Sequence, residues 1–316
     1  MKKKVSYVSQ IILLLFVMIF SFACSGEKSN IEEKEETQET EKKANIMVSF
    51  YPLHGILNNV AKDIPEFELT SLTSMKAGCL HDYQLSVDEV KKLNDANVLI
   101  VNGLGMEALL QKAIDNASVD IIDSSTNIPD LIEAKNDDHG EKYNAHIWMD
   151  IDNYIAQTEY ISLELAKRYP DFENKLTENK NDYINSLNGL KEESHKDLES
   201  FKGQKAIALN EDFTYFASQF DIEITNYIQE HEEVQPSASA VSEIIENIKK
   251  YNINVILTDN NANNPIVDTI CNETGAQKVN VDLMLYQDNE KVDLNDYIEK
   301  MNKNIKNLKE ALEHNE

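Results

Sequence analysis

The chain has 316 residues, of which 41% are hydrophobic and 27% are charged, and its formal net charge is -26 at pH 7. Negative charge of this size repels a phosphate backbone, so it disfavours nucleic acid as a partner, and it raises the local concentration of cations. The acidic residues are dispersed along the chain, so the charge permits metal binding without indicating it.

The first 23 residues have the pattern of a signal peptide. Lysines at positions 2–4 precede an apolar run over residues 11–22, which is short for a membrane span because spanning takes about 20 apolar residues. Residues 21–24, Ser-Phe-Ala-Cys, resemble a lipobox, although Leu is usual where Ser21 stands. We therefore expect cleavage before Cys24, lipidation of Cys24 and anchoring to the outer face of the cell membrane. An uncleaved membrane helix is the alternative.

The polar segment after Cys24 predicts a flexible tether that ends at residue 44, since it holds too few apolar residues to form a core. About 270 residues remain, which favours two compact lobes over one. We expect a first lobe over residues 45–169, a connecting helix over 170–202 and a second lobe over 203–316.

In the first lobe, short apolar strands alternate with helices. Ser86 and Glu89 have the spacing of a capping box, which predicts a helix start. The expected strands are 46–50, 68–72, 98–102 and 120–123, with helices after the first two and over 106–114. Because strands that alternate with helices pair in parallel, a parallel sheet is predicted.

A region without strand pattern follows, and the alternation then restarts. We predict a helix over 150–168, a break at Pro170 and a long helix to Phe201 that connects the lobes. The second lobe is expected to have strands 206–209, 222–224, 255–258 and 279–282 and helices 213–220, 240–251, 265–274 and 294–312. The predicted fold class is α/β, with two parallel-sheet lobes joined by a long helix.

Polar side chains that follow predicted strands are the candidates for a binding site, because ligands of open α/β sheets bind beyond the carboxyl ends of the strands. Imidazole and carboxylate groups at such places suit zinc and manganese, and carboxylates favour manganese. Taken singly, each is explained as well by a hydrogen-bonded histidine, a helix cap or a turn. The candidates are His81, His146, Asn210, Glu211, Asp212 and Asp282, with Cys79 as a thiolate alternative.

Seven short motifs resemble, in order, the signatures of the cluster A-I metal-binding proteins of ABC importers. The resemblance covers almost the whole chain after Cys24. The motifs are residues 49–53 (SFYPL), 81–83 (HDY), 102–107 (NGLGME), 145–150 (AHIWMD), 213–216 (FTYF), 236–239 (PSAS) and 273–276 (ETGA).

The resemblance implies a metal ion between the lobes, bound by two residues from each. By position, His81 and His146 match the first-lobe ligands and Asp282 matches a second-lobe carboxylate. Asn210 departs from the pattern, because family members have His or Glu there and an amide is a poor ligand for zinc. We favour Glu211 as the replacement. The alternatives are ligation by Asp212, a water molecule that completes the ligand set, reduced affinity, or a helix-cap role for Asn210 without metal binding.

The expected function follows from this resemblance. The protein is expected to capture Zn²⁺ or Mn²⁺, with zinc favoured, and to deliver it as a monomer to an ABC permease and its ATPase, without catalysis. The rivals are a surface adhesin with a degenerate site and a zinc-dependent hydrolase, although the chain has no HExxH, GxSxG or GxxxxGK[ST] motif.

Overall fold

The computed structural model describes residues 43–78, 80, 83–135, 142–229, 235–259, 264–287 and 293–313, which belong to one compact unit. The predicted signal peptide, the lipidation site Cys24, most of the predicted tether, Cys79 and His81 lie outside the described residues. Among the helices of the described ranges, none is both long and apolar enough to cross a bilayer.

The first lobe is built on a four-stranded parallel sheet in the order β2-β1-β3-β4. Its strands are β1 Ala44–Val48, β2 Phe67–Ser71, β3 Val98–Val101 and β4 Asp120–Asp123. Its helices are α1 Pro52–Val60, α2 Val87–Asp95 and α3 Gln111–Asn116. The predicted parallel sheet is therefore confirmed.

The second lobe has the same arrangement, with strand order β6-β5-β7-β8. The strands are β5 Lys205–Ala208, β6 Glu223–Tyr227, β7 Val255–Asp259 and β8 Gln277–Val281. The helices are α6 Thr214–Ser218, α7 Ala238–Tyr251, α8 Pro265–Thr274 and α9 Asp296–Glu313.

Two helices connect these sheets. Helix α4, Ile151–Arg168, and helix α5, Glu173–Leu198, are separated by a 3-10 turn at Pro170–Phe172. Helix α5 packs against α4 and α1 on the first-lobe side and against α9 of the second lobe. The predicted fold, two α/β lobes joined by a long helix, is confirmed.

A local signal explains where α2 begins. The predicted capping box is present at the start of α2, where Ser86 and Glu89 each bond the other's backbone N–H. The helix predicted over 106–114 is shorter, because a 3-10 helix Ala108–Leu110 precedes α3. Gly103, Leu104 and Gly105 all have positive φ, so the chain leaves β3 through a left-handed segment that no helix can continue.

The strand order fixes where a ligand can bind. In each sheet the chain goes to one side of the first strand and then crosses to the other side, which opens a crevice at the carboxyl ends of the two central strands. In the first lobe these ends lead into Ser49 and Asn102, both fully buried. In the second lobe β5 leads into Asn210, so the tertiary fold brings polar residues to both crevices.

Candidate metal centre

His146 lies at the entrance to α4, in the first-lobe part of the site. It precedes the 3-10 helix Ile147–Met149, and only 4% of the residue is exposed. Asn144 Oδ1 accepts a hydrogen bond from His146 N at 2.9 Å and lies 3.1 Å from His146 Nδ1. Because this amide oxygen can only accept, Nδ1 donates to it, and the lone pair of neutral His146 is then on Nε2.

Asn210, Glu211 and Asp212 form a tight turn at the end of β5. A 3-10 helix, Glu211–Phe213, follows Asn210, whose Oδ1 accepts from Asp212 N at 3.3 Å. The Asn210 Nδ2 group donates to Asp212 Oδ2 at 2.9 Å. The other oxygen, Asp212 Oδ1, lies 3.3 Å from His146 Nε2, with both side chains buried. The structure therefore brings His146 and Asp212 together.

Glu211 is held in a different direction by its described contacts. Its Oε2 accepts a hydrogen bond from Lys135 N at 3.1 Å, in the loop that follows β4. Its backbone carbonyl accepts from Asn144 Nδ2 at 2.8 Å. Asn144 thus bonds both His146 and the turn that carries Asp212. Ligation by Glu211, which the sequence favours, stays a prediction.

Asp282 follows β8 and is held firmly by α9. Its backbone N–H donates to Asn304 Oδ1 at 2.7 Å, and its carbonyl accepts from Asn304 Nδ2 at 2.8 Å. Its Oδ1 accepts from Met284 N at 2.7 Å. Because Asn304 is fully buried, the position of Asp282 is set by the core of the second lobe.

A buried hydrogen bond joins the segments that carry His146 and Asp282. Trp148 Nε1 donates to the Leu283 carbonyl at 3.0 Å, and Tyr297 Oη donates to the Trp148 carbonyl at 2.9 Å. Trp148 lies two residues after His146, and Leu283 lies one residue after Asp282. This link could not be predicted from the sequence, since nothing in the local pattern pairs Trp148 with Leu283.

A buried carboxylate supports the first-lobe crevice. Glu107 accepts hydrogen bonds from Ser49 Oγ at 2.7 Å, Asn102 N at 2.8 Å and Gly103 N at 3.1 Å. Burial nevertheless raises the pKa of Glu107 to about 7. Asn102 Nδ2 donates to the Ala145 carbonyl at 2.9 Å, next to His146. The motif at residues 102–107 therefore holds the histidine segment in place, a role the sequence did not indicate.

Tyr51 and α9 make a further contact between the lobes. Tyr51 Oη donates to Asp296, and Lys300 Nζ donates to Tyr51 Oη at 3.0 Å while lying 4.6 Å from the ring centroid. Burial, with Asp296 beside it, raises the pKa of Tyr51, and Asp282 adds to this. The hydroxyl thus stays protonated close to the predicted ligand Asp282.

The described residues supply part of a metal site. No group of three or more His, Cys, Asp or Glu side chains that could hold an ion is present in the described ranges, and His81 is not among them. Cys271 is half-buried, and burial raises the pKa of its thiol, which disfavours the thiolate that binds metals. An imidazole and a carboxylate in contact can bind a divalent transition ion once further ligands join them.

Comparisons with known proteins identify similar chains. Residues 46–311 match the family model described as the periplasmic zinc-uptake complex component A, ZnuA. The zinc-binding lipoprotein AdcA of Streptococcus pneumoniae is 25% identical over 98% of this chain. The chain spans 61% of the length of that relative.

One other relative and one solved structure are covered over most of their length. The manganese-binding lipoprotein MntA of Halalkalibacterium halodurans is 24% identical, with 84% of this chain and 85% of the relative covered. The solved structure of FpvC from Pseudomonas aeruginosa in complex with Mn²⁺ superposes with a TM-score of 0.76 at 20% identity. It covers 86% of this chain and 99% of FpvC, and it supports the fold.

Proposed function

The chain belongs to the family of the zinc-uptake complex component A, and from this membership we propose that it captures a divalent transition metal ion and delivers it to an ABC importer. The observation that carries the proposal is the buried contact between His146 and Asp212, which face each other from the two lobes. The contact supports the proposal because imidazole and carboxylate groups are the ligand types that divalent transition ions bind.

The proposed ligands come from both lobes. His81 and His146 serve from the first lobe and Asp282 from the second, with the fourth position supplied by the turn at Asn210 and Glu211. The hydrogen bond between Trp148 and Leu283 supports this set, because it brings the segments of His146 and Asp282 side by side. His81 enters the proposal on its sequence motif alone.

Zinc is the favoured cargo, and manganese is the alternative. The family description names zinc, one relative is named for zinc and another for manganese. Imidazole nitrogens and carboxylate oxygens bind both ions, so the ligand types by themselves do not separate them.

The proposed mechanism is capture and transfer without catalysis. The lobes hold the ion until a permease, with its ATPase, displaces the second-lobe ligands. Helix α5 packs on helices of both lobes, so it limits how far they can separate, and release requires only a small rearrangement. The protein acts as a monomer in this scheme, and it makes and breaks no covalent bond.

Calorimetry with Zn²⁺ and Mn²⁺ on the purified full chain tests metal capture. We expect one ion per chain for the wild type and loss of binding in His146→Ala and in Asp282→Ala. His195→Ala is the matched control, because His195 packs on Phe220 and is no predicted ligand. Absence of binding by the wild type would refute the proposal.

A lipid anchor at Cys24 completes the proposed function and needs its own test. Relatives are named lipoproteins, and residues 21–24 resemble a lipobox. In cells fed a labelled fatty acid, the wild type and Cys271→Ser should take up label, whereas Cys24→Ala should not. Equal labelling of the Cys24 variant would remove the anchor from the proposal.

A further inference from the structure

A short antiparallel pair of segments in the first lobe lies against the second lobe. The two segments are residues 131–135 and 142–144, and Glu133 and Tyr143 pair across them. The pair follows β4 in the chain and leads directly to His146. The contacts that hold it to the second lobe therefore also act on the segment of this predicted ligand.

Three hydrogen bonds, which we call the interlobe clasp, hold this pair of segments to the second lobe. They run from Ile132 N to Tyr215 Oη at 3.0 Å, from Lys135 N to Glu211 Oε2 at 3.1 Å, and from Asn144 Nδ2 to the Glu211 carbonyl at 2.8 Å. All three donors belong to the first lobe and all three acceptors belong to the second. The interlobe clasp is therefore lost when the lobes separate at this place.

Asn144 connects the interlobe clasp to His146. Its Oδ1 accepts a hydrogen bond from His146 N at 2.9 Å, while its Nδ2 donates to the Glu211 carbonyl. One buried amide is thus shared between the histidine segment of the first lobe and the turn of the second. When the interlobe clasp breaks, residues 144–146 lose this attachment to the second lobe.

On its first-lobe side the interlobe clasp is less buried than the bond between Trp148 and Leu283. Lys135 is exposed and Ile132 is half-buried, whereas Trp148 is fully buried. A cleft of about 610 Å³ lies beside the clasp, and both Ile132 and Tyr215 line it. Water that reaches a hydrogen bond can replace it at a small net cost, so local opening begins at such places.

We propose that the interlobe clasp is a releasable attachment that sets how fast the captured ion leaves. With the clasp formed, the lobes stay together and the ion is retained. With the clasp broken, the segment of His146 moves away from the second lobe and the ion dissociates. This inference rests on the metal capture proposed above and adds a control of release to the same site.

Two variants that each lose one tyrosine hydroxyl test the clasp. Tyr215→Phe removes the acceptor of the Ile132 N–H. Tyr227→Phe is the matched control, because its hydroxyl lies 2.9 Å from Thr214 Oγ1 within the second lobe. Zn²⁺ release from the purified full chain is followed by stopped-flow mixing with excess chromophoric chelator. Tyr215→Phe should release the ion roughly 10-fold faster than the wild type, and Tyr227→Phe should stay within about 2-fold of it.

Site-resolved amide hydrogen exchange on the metal-free protein gives a second readout. The informative amide is that of Lys135, because Tyr215→Phe leaves its own acceptor, Glu211, in place. If the clasp opens as a unit, this amide should exchange at least about 5-fold faster in Tyr215→Phe than in Tyr227→Phe. The amides of β3 should keep their rates in both variants, which shows that the effect is local and not a loss of overall stability.

The outcomes separate this inference from the proposed function. If the wild type binds Zn²⁺ but both tyrosine variants release it at the wild-type rate, the inference fails and metal capture stands. Equal exchange of the Lys135 amide in the two variants also overturns it, since the three bonds then do not open together. If the wild type binds neither Zn²⁺ nor Mn²⁺, the proposed function and this inference both fail.

Discussion

The Trp148 indole donates its hydrogen bond to the Leu283 carbonyl at 3.0 Å, from the first lobe to the second, in a fully buried place. This bond stands between the two segments that carry His146 and Asp282. Because His146 and Asp282 lie on different lobes, the relative position of the lobes affects the geometry of the proposed site. Substitutions at Trp148 should therefore change both stability and metal binding.

Trp148→Phe should lower the free energy of unfolding by about 2 kcal/mol or more, because it leaves the Leu283 carbonyl unpaired and a cavity beside it. It should also weaken zinc binding roughly 10-fold through displacement of Asp282. Chemical unfolding and chelator competition measure the two effects.

The control for Trp148 is Asn179→Leu. Asn179 is buried and donates to the Val60 and Lys62 carbonyls, which belong to the first lobe. Its loss should cost about 1–3 kcal/mol of stability while leaving zinc affinity unchanged. Equal weakening of zinc binding in both variants would mean that general destabilisation, not the link to Leu283, sets the affinity.

Gly103 should not tolerate a side chain. Its φ is +85, and a Cβ there would lie 2.1 Å from Asp123 Oδ1 and 2.5 Å from Ser125 Oγ. Gly103→Ala should therefore cost at least about 2 kcal/mol, from left-handed strain and displacement of Asp123. Thermal unfolding measures it.

Gly189 is the control for Gly103, and substitution by Ala is expected to have the opposite effect on stability there. It lies on the exposed face of α5, and an added Cβ would meet nothing within 4 Å. Gly189→Ala should raise stability by about 0.5–1 kcal/mol through helix propensity. A similar change of the same sign at both glycines would contradict the described backbone at Gly103.

Glu107 should make stability fall as the pH rises. Its folded-state pKa is raised from 4.5 to about 7, so between these values the folded protein binds more protons than the unfolded chain. Between pH 4.5 and about 7, the free energy of unfolding of the wild type should fall by about 3 kcal/mol relative to that of Glu107→Gln. One pKa unit corresponds to about 1.4 kcal/mol. Urea unfolding of both proteins at several pH values tests this, and parallel curves would contradict it.

His54 should act in the opposite direction. Burial on α1 lowers its pKa from 6.5 to about 4, so between these values the unfolded chain binds more protons than the folded protein. The stability contributed by neutral His54 is present above pH 6.5 and is lost as the pH falls to about 4. Relative to His54→Leu, the wild type should thus become less stable on acidification, and the same titration should give a slope opposite in sign to that of Glu107.

Much of the fold could be predicted from local patterns. Helix α8 and strand β4 have the predicted bounds. Apart from the start of α3, the other elements differ from their predicted ends by one to three residues, because the ends of helices and strands fray. The late start of α3 was not predicted. A 3-10 helix, Ala108–Leu110, occupies the part of the chain where the first turn of α3 was expected.

The candidate site was harder to predict than the fold. The sequence selected Asp282, which follows a strand, and His146, which precedes a helix, because both match ligand positions of the family, and their ligand roles stay predictions. It could not choose among Asn210, Glu211 and Asp212. In a 3-10 turn each residue is rotated by about 120° from the next, so adjacent side chains point to different neighbours.

The sequence by itself determined the alternation of strands and helices, the parallel sheets and the capping box at Ser86, because these depend on spacings within one element or on the order of neighbouring elements. Only the tertiary structure decided that Asp212 meets His146 and that Trp148 bonds Leu283. Those pairs are 66 and 135 residues apart in the chain. They form only when the two lobes pack against each other, and a pattern within one segment cannot specify how two distant segments are placed.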